Sequence, residues 1–437
     1  PVYNFSLVDQ VLDFLLSIRL KPLVQLSFMP KALASNPGRQ LFSAGVIISE
    51  PKDMDRWCAL VDRFVRHLVD RYSLAVVSEW LFSVWNEPST ANILFGFDTD
   101  EAYYTLYTAT YRTVKAIDPR LTFGGPAGFA AYGKDDEWLL EFLTFAARTG
   151  VRPDFVSVHY YDIDLSDEFF RHRQMPSDIW LSPLPDSFAR HFEKLSRRLA
   201  ERGYGDTPLY VTEWNSTTSH RDLLSDTCFK SAYIVKNAVE TSPQINGLCY
   251  WLLSDMHEEY QLNPAVFHGG LGVFTVGGIR KASYYALQFL SRLGSHVLFR
   301  DDGILVTQNR EDTVILLYNY HHYSRQYAQD IGLHVSYTER YTVFPDRGGK
   351  NVDMTFSWLT GRFLVTEEYV NRHHGSAYDE FVKMGAVEPL TPQDQDFLNH
   401  ISVPQMKKRI CDGSPLRLSV SLSSFEIRLI TIRPFVA

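Results

Sequence analysis

The chain has 437 residues, of which 45% are hydrophobic, 22% charged and 14% aromatic, with a net charge of −8. That composition builds a sizeable core and excludes intrinsic disorder. The acidic balance offers no basic field for nucleic acid, and no apolar run is long enough to span a bilayer.

In chain order, Ser6–Ile18 opens with Val8, Val11, Leu12, Leu15 and Leu16 on one helical face. Leu23–Phe28 reads as a short apolar strand. Asp55–Asp70 places Trp57, Leu60, Val61, Phe64, Val65, Leu68 and Val69 at helical spacing. The alternation continues with strands at Leu81–Trp85, Leu121–Gly124, Phe155–His159, Leu209–Glu213 and Gly247–Leu252. Helices are predicted at Glu101–Ile117, Glu137–Ala147, Ser187–Glu201, Asp226–Glu240 and Ala282–Leu293. Short apolar strands alternating with helices indicate a parallel sheet covered by helices. Six strands suit an open doubly wound sheet or most of a (β/α)8 barrel. No Gly-rich phosphate loop follows an early strand, so a dinucleotide fold has no support.

After Gly294 the pattern changes to period-2 alternation. Gly303–Gln308, Thr313–Tyr318, Arg340–Phe344, Leu416–Leu422 and Phe425–Ile432 read as strands. Val365–Ser402 reads as a long irregular excursion between them. The expectation is two domains, an α/β domain over 1–294 and a C-terminal β-sandwich over 295–437.

Two glutamates stand at strand ends. Glu87 lies in Trp85-Asn86-Glu87-Pro88, where Pro88 cannot continue a central strand. Glu213 lies in Thr212-Glu213-Trp214-Asn215. In β/α barrels the C-terminal strand ends carry catalytic groups. Two carboxylates meeting there can break a glycosidic bond as acid and nucleophile. The plain alternative is a pair of unrelated surface glutamates on loops. Both share flanking Trp and Asn residues. Trp can offer a platform to a sugar ring and Asn a hydrogen bond to a hydroxyl, which favours the functional reading.

These motifs resemble the acid/base and nucleophile motifs of glycoside hydrolase family 39, which contains β-xylosidases and α-L-iduronidases. The resemblance extends through Phe28-Met29-Pro30, Asp154–Tyr161, Tyr250-Trp251 to Glu258-Glu259, Phe267–Gly272 and His374–Gly385. It implies a (β/α)8 TIM-type barrel with a C-terminal all-β sandwich. It also implies a retaining exo-glycosidase acting on β-xylosides and short xylo-oligosaccharides. Glu87 would be the acid/base and Glu213 the nucleophile, with Glu213 ionised at rest and its charge keeping Glu87 protonated. Asn86 would bind the 2-hydroxyl, and His159 and Tyr161 would contact the ring, Tyr161 orienting the nucleophile. Trp251 would wall the pocket, and Glu258 and Glu259 would bind glycone hydroxyls. The bland alternatives are a satisfied strand-end histidine for His159 and an exposed loop pair for Glu258 and Glu259. The partner is a carbohydrate substrate, and the reaction requires no metal or organic cofactor.

Counted back from Glu213 as strand seven, Leu23–Phe28 is strand three, so the barrel lacks its first two strands in this chain. A longer polypeptide, a second chain that completes the barrel, or a degraded sugar-binding barrel would each account for this. Related modules also sit behind DNA-binding domains in bacterial regulators, which makes a sugar-sensing module the alternative to an enzyme. The four cysteines, Cys58, Cys228, Cys249 and Cys411, show neither metal-knuckle spacing nor a disulfide framework. They suit a reducing compartment, and the N-terminus shows no signal-peptide pattern, so a cytoplasmic location is expected. Self-association as a homo-oligomer is left open.

Overall fold

The computed structural model describes residues 3–42, 44–89, 94–134, 136–173, 175, 178–257, 259, 262–330 and 335–435. Helix α1 (Ser6–Ser17) leads into a six-stranded parallel sheet whose spatial order follows the chain. Its strands are β1 (Leu23–Leu26), β2 (Leu81–Val84), β3 (Thr122–Tyr132), β4 (Val156–Asp164), β5 (Leu209–Asn215) and β6 (Gly247–Tyr250). Sequential parallel order with helical crossovers curls the sheet into part of a (β/α) barrel. β4 is buried along its whole length, as a strand covered on both faces must be. β1 and β6 occupy the edges and are only partly covered, with Cys249 of β6 exposed.

The covering helices are α2 (Met54–Tyr72), α3 (Asp100–Ile117), α4 (Glu137–Thr149), α5 (Ser187–Glu201), α6 (Cys228–Thr241) and α7 (Ala282–Leu290). Asp53 caps α2 by accepting from the Arg56 amide, and Thr99 caps α3 through the Ala102 amide. Trp57, Val61, Val65 and Leu68 form the buried stripe of α2, and the Trp57 indole donates to Thr110 of α3 at 2.9 Å. Gly150, at φ 70°, ends α4 in the left-handed conformation that glycine adopts without strain. Among the described residues, no helix is long and apolar enough to cross a membrane.

The C-terminal region is antiparallel. β7 (His296–Asp301), β8 (Ile304–Asn309), β9 (Asp312–Tyr318), β11 (Gly361–Val370), β12 (Gln405–Gly413) and β14 (Ile427–Pro434) form one sheet, in the order β12-β11-β14-β9-β8-β7. β10 (Lys350–Phe356) and β13 (Leu416–Leu422) form a two-stranded ribbon. A core of Ile315, Leu317, Met354, Phe356, Val365, Leu418 and Ile430 lies between ribbon and sheet. Val314, Leu316, Ile427 and Leu429, on alternate positions, join the core of the α/β region. α6 lies within this shared core and is buried nearly all round.

Three sequence expectations need correction here. Arg340–Val343 is a 3₁₀ turn, not a strand. Its alternation reflects Arg340 and Tyr341 plunging into the neighbouring region: Arg340 pairs with buried Asp226 at 2.7 Å, and Tyr341 donates to Asp379 at 2.8 Å. The stretch expected to be irregular contains β11 and two helices, α8 (Ala377–Lys383) and α9 (Pro392–Ile401). Their caps were legible, since Ser376 accepts from the Asp379 amide and Thr391 forms a capping box with Asp394. Strands β7, β10 and β12 were not anticipated. β12 is an edge strand carrying Lys407, Lys408 and Arg409, so no apolar alternation announces it.

A ladder of four buried charges joins the two regions. Arg340 pairs with Asp226, Lys281 pairs with Asp226 at 2.7 Å and with Asp255 at 2.6 Å, and none of the four side chains is exposed. Asp226→Ala leaves Arg340 and Lys281 short of a partner and is expected to cost about 3–5 kcal/mol. The urea-unfolding midpoint measures this. The exposed pair Arg39–Asp98 is the control, and Asp98→Ala is expected to cost no more than about 1 kcal/mol.

Candidate active site

All six strands of the parallel sheet point the same way, so their C-terminal ends share one rim. Trp85, Asn86 and Glu87 follow β2 and turn the chain over it. Trp85 and Glu87 sit at φ 68° and 46°, the left-handed region that side chains other than glycine seldom occupy. Such residues cost about 1–3 kcal/mol each unless the surroundings hold them. Here they are held: the buried Trp85 ring packs against Phe28 and Phe97, and its indole donates to the Phe95 carbonyl at 2.9 Å. The Gln25 side chain donates to the Trp85 carbonyl.

β4 supplies His159 and Tyr161. A register irregularity between Val158 and His159 sets His159 opposite Glu213 of β5. His159 Nδ1 lies 2.9 Å from Glu87 Oε1 and 3.5 Å from Glu213 Oε2. One atom of each of the three side chains falls within 4.8 Å of the others. The Tyr161 hydroxyl donates to Glu213 Oε2 at 2.8 Å, and its ring stacks on Phe129. Two sequence-distant carboxylates are therefore brought together, with an imidazole between them. Imidazole and carboxylates are also metal-ligand types. Here His159 Nδ1 is hydrogen-bonded to Glu87, and Glu213 accepts from the Tyr161 hydroxyl.

Burial is the largest influence on Glu213 and pushes its carboxyl up to about 7. His159 pulls it down, Glu87 pushes it up, and the Tyr161 hydrogen bond pulls it down. Burial thus favours the proton on Glu213, and the neighbouring donors favour its carboxylate form. His159 shows the converse. Burial would lower its pKa, but the two carboxylates raise it above the ordinary imidazole value.

Glu87 and Glu213 open into a cleft of about 550 Å³ that Asn86, Tyr161, Trp251 and Glu259 also line. Glu259 accepts from His220 Nε2 at 2.8 Å, and His257 Nε2 lies 3.4 Å away. Burial pushes the Glu259 carboxyl up, but the two histidines outweigh it and bring it down to about 2. Glu258 lies outside the described residues. The flanking residues act differently from expectation. Trp85 and Trp214 are 0% and 1% exposed and form core, not sugar platforms. Asn215 is also fully buried, donating to the Trp251 carbonyl and accepting from Lys230 Nζ at 2.6 Å, so it is not free for a hydroxyl. Gln25, Phe129, His220 and His257 line the cleft without having been singled out. None lies in a short motif, and only the adjacency of His257 to Glu258-Glu259 was a usable signal.

The profile described as Glycosyl hydrolases family 39 matches residues 1–414. The chain belongs to glycosyl hydrolase family 39. It is 31% identical over 443 residues to a beta-xylosidase of Geobacillus stearothermophilus, covering 99% of this chain and 81% of that protein. A beta-xylosidase of Caldicellulosiruptor saccharolyticus is 33% identical over 73% of this chain, which spans 64% of that protein's length, less than two thirds. Among solved structures, a monomeric beta-xylosidase from Caulobacter crescentus CB15 superposes with a TM-score of 0.86 at 28% identity, over all of this chain and 85% of that one. This family-39 chain is a glycoside hydrolase with a carbohydrate as its substrate class.

Tyr161→Phe removes the hydroxyl that donates to Glu213. Because that bond lowers the Glu213 pKa, its loss is expected to raise the titration further. Carboxyl-carbon NMR of labelled glutamate reads the shift; a lowered or unmoved midpoint would contradict the role given to the hydroxyl.

Proposed function

We propose that this family-39 chain is a retaining exo-β-xylosidase that works by double displacement. The observation that carries the reading is the convergence of Glu87 and Glu213 within 4.8 Å in one cleft. Retaining glycosidases keep their two carboxyl groups about 5–5.5 Å apart, whereas inverting enzymes leave room for a water at about 6.5–9.5 Å. The beta-xylosidase relatives, the Phe28-Met29-Pro30 segment and the Glu258-Glu259 pair support xylose as the glycone.

In this reading the pair carries one proton between them in the productive state. It resides on Glu87, which delivers it to the leaving oxygen. Glu213, ionised and steadied by the Tyr161 hydroxyl and by His159, attacks carbon-1 and forms the glycosyl-enzyme ester. The charge on Glu213 is then gone, and Glu87, now a carboxylate, takes a proton from the incoming water as the water oxygen attacks carbon-1, breaks the ester bond and releases Glu213 as a carboxylate. His159 stabilises the negative charge on whichever carboxylate bears it. Asn86 bonds the 2-hydroxyl, a contact that tightens as positive charge develops in the ring. Trp251 walls the glycone, and Glu259 accepts from its hydroxyls. A sugar sensor would not need this paired acid and nucleophile, which favours the enzyme.

Stereochemistry tests the mechanism. Proton NMR of aryl β-xyloside hydrolysis is expected to show β-xylose as the first product, and α-xylose first would overturn retention. Glu213→Gly is expected to abolish turnover of an unactivated xyloside. Glu87→Ala is expected to slow it by about 10²–10⁴-fold, with a smaller loss on substrates whose leaving group needs no protonation. Near-wild-type rates in either variant would remove the assigned roles.

A further inference from the structure

Glu259 has both of its oxygens engaged by histidines from two different segments. His220 lies after β5 and meets Oε2 at 2.8 Å; His257 lies after β6 and faces Oε1 at 3.4 Å. The two imidazoles lie nearly parallel, 15° apart in plane with centroids at 6.2 Å. His257 also meets the Trp251 ring edge-on at 5.1 Å. The side chain of His220 is 9% exposed and that of Glu259 21%, so the clamp is largely shielded while its carboxylate still reaches the cleft.

We propose that His220 and His257 are positioning residues that hold Glu259 as a fixed acceptor for glycone hydroxyls, and thereby set how tightly the cleft grips its sugar. The inference rests on reading this cleft as the glycone site. A glutamate side chain has three rotatable bonds, and ordering it on binding opposes affinity. Donors on both oxygens order it in the free protein and leave its remaining lone pairs in fixed directions. Among the described residues, the groups facing Glu259 include His220 and His257, with Glu213 of β5 and Tyr161 of β4 also within electrostatic reach. The histidines outweigh the effect of burial, so the carboxylate stays ionised through the neutral and mildly acidic range.

The test uses the whole chain, 4-nitrophenyl β-D-xyloside for kinetics and D-xylose for calorimetric binding. His220→Ala is expected to raise KM and weaken D-xylose binding, each about tenfold, the scale of one charge-assisted hydrogen bond. kcat is expected to stay within about threefold. His220→Gln, whose amide nitrogen replaces Nε2, is expected to restore most of the loss. In His220→Ala/His257→Ala, burial of Glu259 is no longer offset, so KM is expected to climb as pH falls through the carboxyl range. KM in the wild type is expected to lack this climb. A purely structural role would lower the active fraction and leave KM and D-xylose affinity unchanged, which would overturn the proposal; so would a Gln variant as impaired as the Ala variant. If the wild type turned over no xyloside yet His220→Ala still weakened D-xylose binding tenfold, the catalytic reading would fail and the clamp would stand.

Discussion

A pair of carboxylates out of water, less than 5 Å apart, is the constraint on which the site depends. Two negative charges at that distance in a poorly solvated cleft cannot both persist without help. The molecule supplies that help at close range: an imidazole bridging the two acids and a phenol donating to one of them. The result is a close pair of acids whose charge is met by donors of the protein itself. The same burial that makes the pair costly strengthens the electrostatic interactions between its members.

The scaffold delivers this arrangement through strand direction. Parallel strands put Glu87, His159, Tyr161, Glu213 and Trp251 on one rim although long stretches of chain separate them. Fine placement comes from local departures from regular geometry. The irregularity at Val158–His159 brings the imidazole level with Glu213, and the left-handed backbone at Trp85 and Glu87 swings the second carboxylate inward. The tryptophans beside both glutamates serve this placement from beneath, as packed core. Their proximity to the acids in sequence is a signal of support, not of sugar contact.

Much of this was legible in the sequence. The helical stripe of α2 and the apolar strand runs report burial directly, and burial dictates the parallel sheet. The two glutamates were recognisable because each lies at or near the C-terminal end of an apolar run, with Pro88 marking the rim after Glu87. What escaped had physical reasons. β12 is exposed and basic, so hydrophobic periodicity cannot see it. Arg340–Val343 alternates because its side chains reach into another region, and alternation alone suggested a strand. His220 and His257 belong to loops, where the partner of a side chain is decided by the fold and not by its neighbours in the chain.

The buried ladder from Arg340 through Asp226 and Lys281 to Asp255 has a consequence for how such proteins can be recombined. Its members come from both sides of residue 294, and Asp255 lies between Trp251 and His257 on the loop that shapes the cleft. Grafting a C-terminal region from a homologue would bring its own residue opposite Asp226, and a mismatched charge there would propagate to that loop. The interchangeable unit is therefore a set of co-adapted buried ions, and a workable chimera must inherit them as a group rather than be cut at the point where one sheet type gives way to the other.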